Sequence, residues 1–307
     1  MFATDANFWF GTLVPPLDAL LAHLRAEPSR TGSLIVTLFG DAVAPHGGEI
    51  GLAALLVVFR AMQVSDGVVR TAVSRLTRDG WLRRRRAGRL SFYRLVADRP
   101  ELAAAEARIY GTLQTPAWRG TLLLAFPEPG TDRGRLEAGF TPVAPGVFTA
   151  PDTAPPLPGI LTLAASGPAL AEFAARAWPL ARLSQDYADF VERFAPVRPA
   201  TALQPLEALV VRTLLIHAYR RIVLRDPLLP AGLLPNPWSG LTARRLCTTL
   251  YAELLPQSEA WLASAEAGPL PGPALTRRFS DAGTRLSATA SSPWRSGIQP
   301  PPRSAPP

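Results

Sequence analysis

Residues 65–95 read SDGVVRTAVSRLTRDGWLRRRRAGRLSFYRL, and the rest of the chain is organised around them. Ser65 or Asp66 can cap a helix start. Val69, Val73 and Leu76 recur at helical spacing and form one apolar face. Arg70, Ser74 and Arg78 fall four apart on another face, where they can meet a DNA groove. Gly80 ends the helix without a Cβ penalty. The pattern then turns to strand character over Trp81–Arg84, a turn at Ala87-Gly88, and a second strand over Leu90–Leu95 with Phe92 and Tyr93. The expected unit is a recognition helix followed by a two-stranded wing.

The charge of this stretch is one-sided. Nine arginines face two aspartates, Asp66 and Asp79, so this window holds nearly all of the net +8 of the 307-residue chain. Positive charge focused beside a short helix is what attraction to phosphates requires. Every basic residue other than histidine is arginine. The planar guanidinium fork suits both phosphate and a guanine edge. The alternative is a protein-binding adaptor whose wing arginines are solvated surface charge.

The length allows two or three domains, and an apolar content of 48% supports real cores. No apolar run approaches the ~18 residues of a membrane span. The N-terminus lacks the basic and apolar regions of a signal peptide, so a cytoplasmic protein without membrane association is expected. The single cysteine, Cys247, has no internal disulfide partner and sits in an expected helix as a small buried residue.

Residues 1–29 form an N-terminal extension, with a short amphipathic helix signalled by Leu17, Leu20, Leu21 and Leu24. Residues 30–98 form a winged helix-turn-helix. Its first helix covers Ser33–Phe39, a turn follows at Pro45–Gly48, and the second helix is Leu52–Arg60. Residues 99–116 are a linker with a helix over Glu101–Tyr110. Residues 117–184 alternate strands and short helices: strands at Trp118–Phe126, Val143–Thr149 and Ile160–Ala164, helices at Arg133–Gly139 and Leu170–Trp178. Residues 185–268 are mainly helical, with segments at Tyr187–Phe194, Ala202–Leu224 (the longest), Leu241–Leu254 and Glu259–Ala265. Residues 269–307 are a flexible tail rich in Pro, Ser, Gly and Arg. The fold class is therefore a multidomain α+β chain.

Catalytic signatures are absent from the sequence. His23, His46 and His217 lack zinc-ligand spacing. There is no glycine-rich phosphate loop and no GxSxG elbow. Neither an enzymatic activity, a metal nor a cofactor is expected.

Three blocks resemble the PaaX-type transcriptional repressors, regulators of phenylacetic acid degradation. The first is SLIVTLFGDAVAPHGGEI (Ser33–Ile50) with VRTAVSRLTRDGWLRRRRAGRLSFYRL (Val69–Leu95). The second is Trp118 with GFTPVAPGVFTAP (Gly139–Pro151). The third, long and unusual, is YRRIVLRDPLLPAGLLPNPWSGLTARRL (Tyr219–Leu246). The resemblance implies a cytoplasmic homodimeric repressor of an aromatic-acid catabolic operon. It binds double-stranded operator DNA and is released by an aryl-acyl-CoA such as phenylacetyl-CoA. It also implies a ferredoxin-like (Cas2-like) central domain. Alternatives are a regulator of the same build with another acyl-CoA or aromatic effector, or a Cas2-like metal-dependent nuclease. The nuclease needs a carboxylate near the end of the first central strand, where this chain has Leu122-Leu123-Leu124-Ala125-Phe126. The chain departs from the family at Asp66-Gly67, where a Glu-Arg pair is common, and at Gly51, near a common tryptophan.

For DNA contact the expected residues are Arg70, Thr71, Ser74, Arg75 and Arg78 on the helix. Arg83, Arg84, Arg85, Arg86 and Arg89 serve the wing, with alternation turning some away from DNA. Arg75 can instead pair with Asp79 at i,i+4. A CoA thioester calls for arginines beside an apolar cleft. Tyr219, Arg220, Arg221, Arg225, Trp238, Arg244 and Arg245 are the candidates, and the same residues can equally be architectural.

Overall fold

The computed structural model describes residues 15–26, 31–96, 99–111, 118–128, 131, 139–154, 157, 159–197, 203–264, 268, 270 and 274–279. Expectations for a helix over 133–138 and for the chain from 280 onward lie outside them.

The N-terminal half is built from four helices and a small sheet. Helix α1 (Pro15–Ala26) buries Leu17, Leu20 and Leu21 in the main core. Helix α2 (Thr31–Leu38) runs into a π turn (Phe39–Val43) and a 3-10 turn (Ala44–His46). Strand β1 (Ile50–Gly51) and helix α3 (Leu52–Ala61) follow. Gln63, at φ 60°, turns the chain into helix α4 (Asp66–Arg78). Ser65 occupies the N-cap position without a side-chain cap bond. The helix start is held instead by Asp66, whose carboxylate accepts from Arg60 Nε and Nη2 at 2.7 and 2.6 Å. That clamp, from the preceding helix, offsets the weak helix former Gly67 in the first turn. Val69 and Val73 face inward, and Gly80 reverses the chain at φ 72°.

Strands β2 (Leu82–Ala87) and β3 (Leu90–Leu95) form an antiparallel hairpin, and β1 pairs with the far edge of β3 through Ile50–Tyr93 and Gly51–Phe92. The sheet order is β1-β3-β2. Leu82, Tyr93 and Leu95 are buried on one face of the hairpin, which fixes its register. Helix α5 (Pro100–Tyr110) leads away from it.

A four-stranded antiparallel sheet comes next: β4 (Thr121–Phe126), β5 (Thr141–Ala144), β6 (Val147–Pro151) and β7 (Leu161–Ser166), in the order β5-β6-β4-β7. The single strand expected over Val143–Thr149 is instead a tight hairpin. Its turn sits at Pro145-Gly146, where Gly146 takes φ 72°. Helix α6 (Leu170–Ala177) covers one sheet face, and the Trp178 indole just beyond it donates to Thr141 Oγ1 at 2.8 Å. The connection from β6 to β7 carries no helix among the described residues.

The remainder is helical: α7 (Leu180–Phe194), α8 (Pro205–Val223) and α9 (Gly240–Leu262). Helix α7 starts seven residues before the expected Tyr187. Helix α8 starts on a capping box, with Gln204 N–H donating to Glu207 Oε2 at 2.9 Å. Every residue from Ala208 to His217 is buried, so α8 is the central rod rather than a one-sided amphipathic helix. Helix α9, at 23 residues, is the longest described and replaces two expected helices. It passes through Pro256, which lies in the gap between those two expected helices. Leu254, Leu255, Ser258, Trp261 and Leu262 are all buried around it, and that packing outweighs the roughly 3 kcal/mol a helical proline costs. Cys247, on this helix, is fully buried, and burial pushes its thiol pKa well up, as befits an inert core residue.

One hydrophobic core runs through α1–α5, the small sheet, α7, α8 and α9. Phe279 belongs to it, Leu275 packs against it, and Arg278 bonds Asp41 O and Glu106, so residues 274–279 of the stretch expected to be flexible are anchored. Phe279 sits edge-on to Tyr110 and Tyr251 at 5.1 and 5.2 Å, which is why it docks.

Candidate nucleic-acid interface

Arg70, Thr71, Ser74, Arg75 and Arg78 are all exposed on α4. With Val69 and Val73 spent on the core, the helix presents this polar face outward. Thr71 Oγ1 donates back to Gly67 O at 2.9 Å. Asp79 pairs with its neighbour Arg78 at 3.3 Å, rather than with Arg75.

The four consecutive arginines of β2 divide by strand alternation. Arg84 and Arg86 share the face of Leu82, Tyr93 and Leu95, while Arg83 and Arg85 lie opposite, across from Arg94 and Phe92. Arg84 donates to Ser91 Oγ at 2.6 Å and, together with Arg70, Ser74, Thr77, Arg78 and Tyr93, lines a crevice of about 450 Å³ between helix and hairpin. Arg85 is engaged elsewhere. It donates to Glu49 Oε2 at 2.6 Å and lies over the Phe92 ring at 4.7 Å. Arg86 and Arg89 are exposed near the hairpin tip. The structure thus brings Arg70, Ser74, Arg78 and Arg84 to one opening and leaves Arg83 and Arg85 on the far side.

Sequence reasoning missed Thr77 in this opening, and Arg99, which lies over the Trp81 ring at 4.3 Å and donates to the carbonyl oxygens of Asp79 and Gly80. Arg99 therefore braces the corner between α4 and β2. Its own signal was a lone arginine before Pro100.

The effector candidates do not converge. Tyr219 is wholly buried, and burial pushes its hydroxyl pKa up to about 12. Arg220 points toward α2 and donates to Ser33 Oγ at 3.1 Å, with burial lowering its pKa. Arg244 donates to the carbonyl oxygens of Ile109 and Gly111 and lies over Phe279, so it ties α9 to α5. Trp238 packs edge-on against Tyr187, at 5.6 Å between ring centroids. Arg225 bonds Arg221 O and Asp186, and Arg245 is exposed. Neighbours on one helix point about 100° apart, so Arg220 and Arg221, like Arg244 and Arg245, face different surroundings. Of the seven, Arg221 and Arg225 line a common crevice.

A buried polar cluster escaped the sequence reading altogether. Arg212 on α8 binds Asp41 of the π turn and Glu259 of α9, each at 2.7 Å. Tyr110 and Tyr251 hydroxyls donate to Asp41 Oδ1, and His46 Nε2 lies 2.9 Å from Glu259 Oε2. Burial and the Asp41 charge raise both tyrosine pKa values, so both stay protonated donors. The one available signal was an arginine inside the apolar run ALVVRTLLI. Among the described residues, no group of three or more His, Cys, Asp or Glu is placed to hold a metal. No described helix is long and apolar enough to cross a membrane.

Two stretches of the chain match known protein families. Residues 30–99 match the PaaX-like protein family, and residues 178–264 match the PaaX-like protein C-terminal domain. The transcriptional repressor PaaX of Escherichia coli strain K12, a regulator rather than an enzyme, is 35% identical over 292 residues, covering 84% of this chain and 92% of its own. The chain belongs to the PaaX family of transcriptional repressors. Among solved structures, an uncharacterized protein from Mycobacterium tuberculosis is 22% identical, covering 74% of this chain and 97% of its own, at a TM-score of 0.47.

Proposed function

We propose that this chain is a cytoplasmic repressor that seats α4 in the major groove of operator DNA. In this reading residues 30–98 are a winged helix-turn-helix, with β2–β3 as a wing against the phosphate backbone. The observation that carries it is the opening shared by Arg70, Ser74, Arg78 and Arg84, with helix and wing contributing to one cationic surface. Ser74 and one or two arginines reach base edges, and the remaining arginines hold phosphate. The central sheet is a ferredoxin-like platform, supported by its antiparallel order β5-β6-β4-β7. The protein works as a homodimer on paired half-sites. Its target is an aromatic-acid catabolic operon of the phenylacetate type, and an aryl-acyl-CoA such as phenylacetyl-CoA releases it.

The test is a salt-controlled titration of the full chain on its own upstream intergenic DNA, with and without phenylacetyl-CoA. Specific binding that weakens steeply with salt, and is lost on adding the thioester, is the expected result. Binding that persists with the thioester overturns that effector, and absence of specific binding overturns self-regulation at that site.

A further inference from the structure

A crevice of about 170 Å³ lies between α1, α7 and α8, away from the α4 surface. Its floor is apolar: Leu20 and Leu24 from α1, Phe190 and Phe194 from α7, Ala218 and Ile222 from α8. Its rim carries Arg182, Arg193, Arg221 and Arg225 against two acidic residues, Asp186 and Asp189. Asp186 is already committed to Arg182 at 3.0 Å and to Arg225 at 2.9 Å. Asp189 accepts from Gln185 at 2.7 Å. The rim therefore keeps a positive excess over an apolar floor.

We infer that this crevice binds an amphipathic organic anion, its apolar group on the α1/α7/α8 floor and its carboxylate or phosphate on the rim arginines around Arg221. The volume sets the mode. It falls below the roughly 300–1,000 Å³ of a pocket that engulfs a ligand, so only the apolar end is buried and the charged end stays at the surface. Surface arginines are well placed for that half, since a guanidinium fork matches both carboxylate and phosphate.

The crevice also touches the DNA-binding half. His217 lines it and its Nδ1 lies 3.0 Å from Thr37 Oγ1 on α2, the helix that packs against α4. Burial, reinforced by Arg220 and Arg221, lowers the His217 pKa to about 3, so the ring is neutral. An anion beside Arg221 offsets part of that positive field. It bears on a contact that leads from the crevice to α2 and through it to α4. This consequence for DNA release rests on the repressor reading above; the binding itself does not.

The experiment is calorimetric titration of the full chain with phenylacetate and with phenylacetyl-CoA, two anions that share an apolar end and differ in head. Arg221→Glu reverses the rim charge, and Ala218→Trp fills the floor. Arg176→Glu makes the same charge change at an exposed position on α6, outside the crevice. At least one anion is expected to bind the wild type, with affinity reduced about tenfold or more in the first two variants and by less than about twofold in the third. Thermal melts identify a variant that fails to fold. For such a variant Leu24→Arg, on α1, replaces it with the same expected loss. Failure of both anions to bind at millimolar concentration, or equal binding by all variants, overturns the assignment. Operator titration without ligand is read separately, because its loss in the wild type overturns the repressor reading and leaves the crevice result standing.

Discussion

Arg212 donates through Nε to Asp41 Oδ2 at 2.7 Å, and both side chains are cut off from solvent. The pair joins α8 to the turn that follows α2. Arg212 also donates to Glu259 and Ser258 at 2.7 and 3.0 Å and to the Asp41 carbonyl oxygen at 3.0 Å, so all three guanidinium nitrogens are engaged. Such a pair adds little over an apolar replacement of both partners, but removing one member strands the other's charge. Arg212→Met is expected to destabilise the chain by about 3–5 kcal/mol, read as a lower urea midpoint. Arg212→Lys keeps the charge but loses the fork, and should recover only part of the loss. A midpoint unchanged by Arg212→Met would show that the cluster does not hold the two halves together.

The hairpin arginines separate two effects that sequence alone merges. Arg84 opens onto the crevice shared with Arg70 and Arg78, whereas Arg85 is neutralised by Glu49 on the other face. Arg84→Ala is expected to weaken operator binding and to reduce the slope of log affinity against log salt by about one. Arg85→Ala should change that slope by clearly less. Equal effects from the two would mean that the hairpin approaches DNA by its outer face.

The first of these relationships could not be seen in the sequence, and the second could in part. Period and charge both mark α4 and its hairpin, because a short amphipathic helix and a two-residue alternation leave local traces. The alternation also forecasts that adjacent arginines diverge, as Arg84 and Arg85 do. Asp41, Arg212 and Glu259 meet across wide sequence separations, and no local pattern records such a meeting. Pro256 misled for the opposite reason: a strong local stop signal was overruled by burial on both sides of it. The arginines of residues 219–246 are close in sequence but point to different neighbours, so proximity along the chain overstated their convergence.

Gly47 and Gly48 stand together before β1 but for different reasons. A Cβ on Gly48 would lie 1.8 Å from the Val43 carbonyl oxygen, a backbone atom. Gly47 has open space around it but takes φ 73°. Gly47→Ala should therefore cost about 1–2 kcal/mol, the strain of the left-handed backbone. Gly48→Ala must displace the turn that carries Asp41 and His46, and should cost more than Gly47→Ala in the same denaturation assay. The reverse order would show that the turn relaxes easily and that conformation, not close approach, requires glycine here.

His217 gives the chain a defined acid sensitivity. Its pKa falls from an ordinary 6.5 to about 3, chiefly through burial and then through Arg220 and Arg221. Below 6.5 the unfolded chain takes up a proton at this position that the folded chain refuses, so acidification favours unfolding. The contribution is complete above 6.5 and is lost progressively as pH falls toward 3. Glu259 acts lower. His46 and Arg212 hold its carboxyl below the ordinary 4.5 despite burial, so its stabilisation is present above 4.5 and lost as pH falls through the depressed value. Urea midpoints measured from pH 7 to pH 5 should therefore decline in the wild type. His217→Gln, which keeps a polar group facing Thr37 but cannot titrate, should flatten that limb and leave, below pH 4.5, only the share of the fall that Glu259 carries. A wild-type slope retained in His217→Gln would assign the upper limb to a different group.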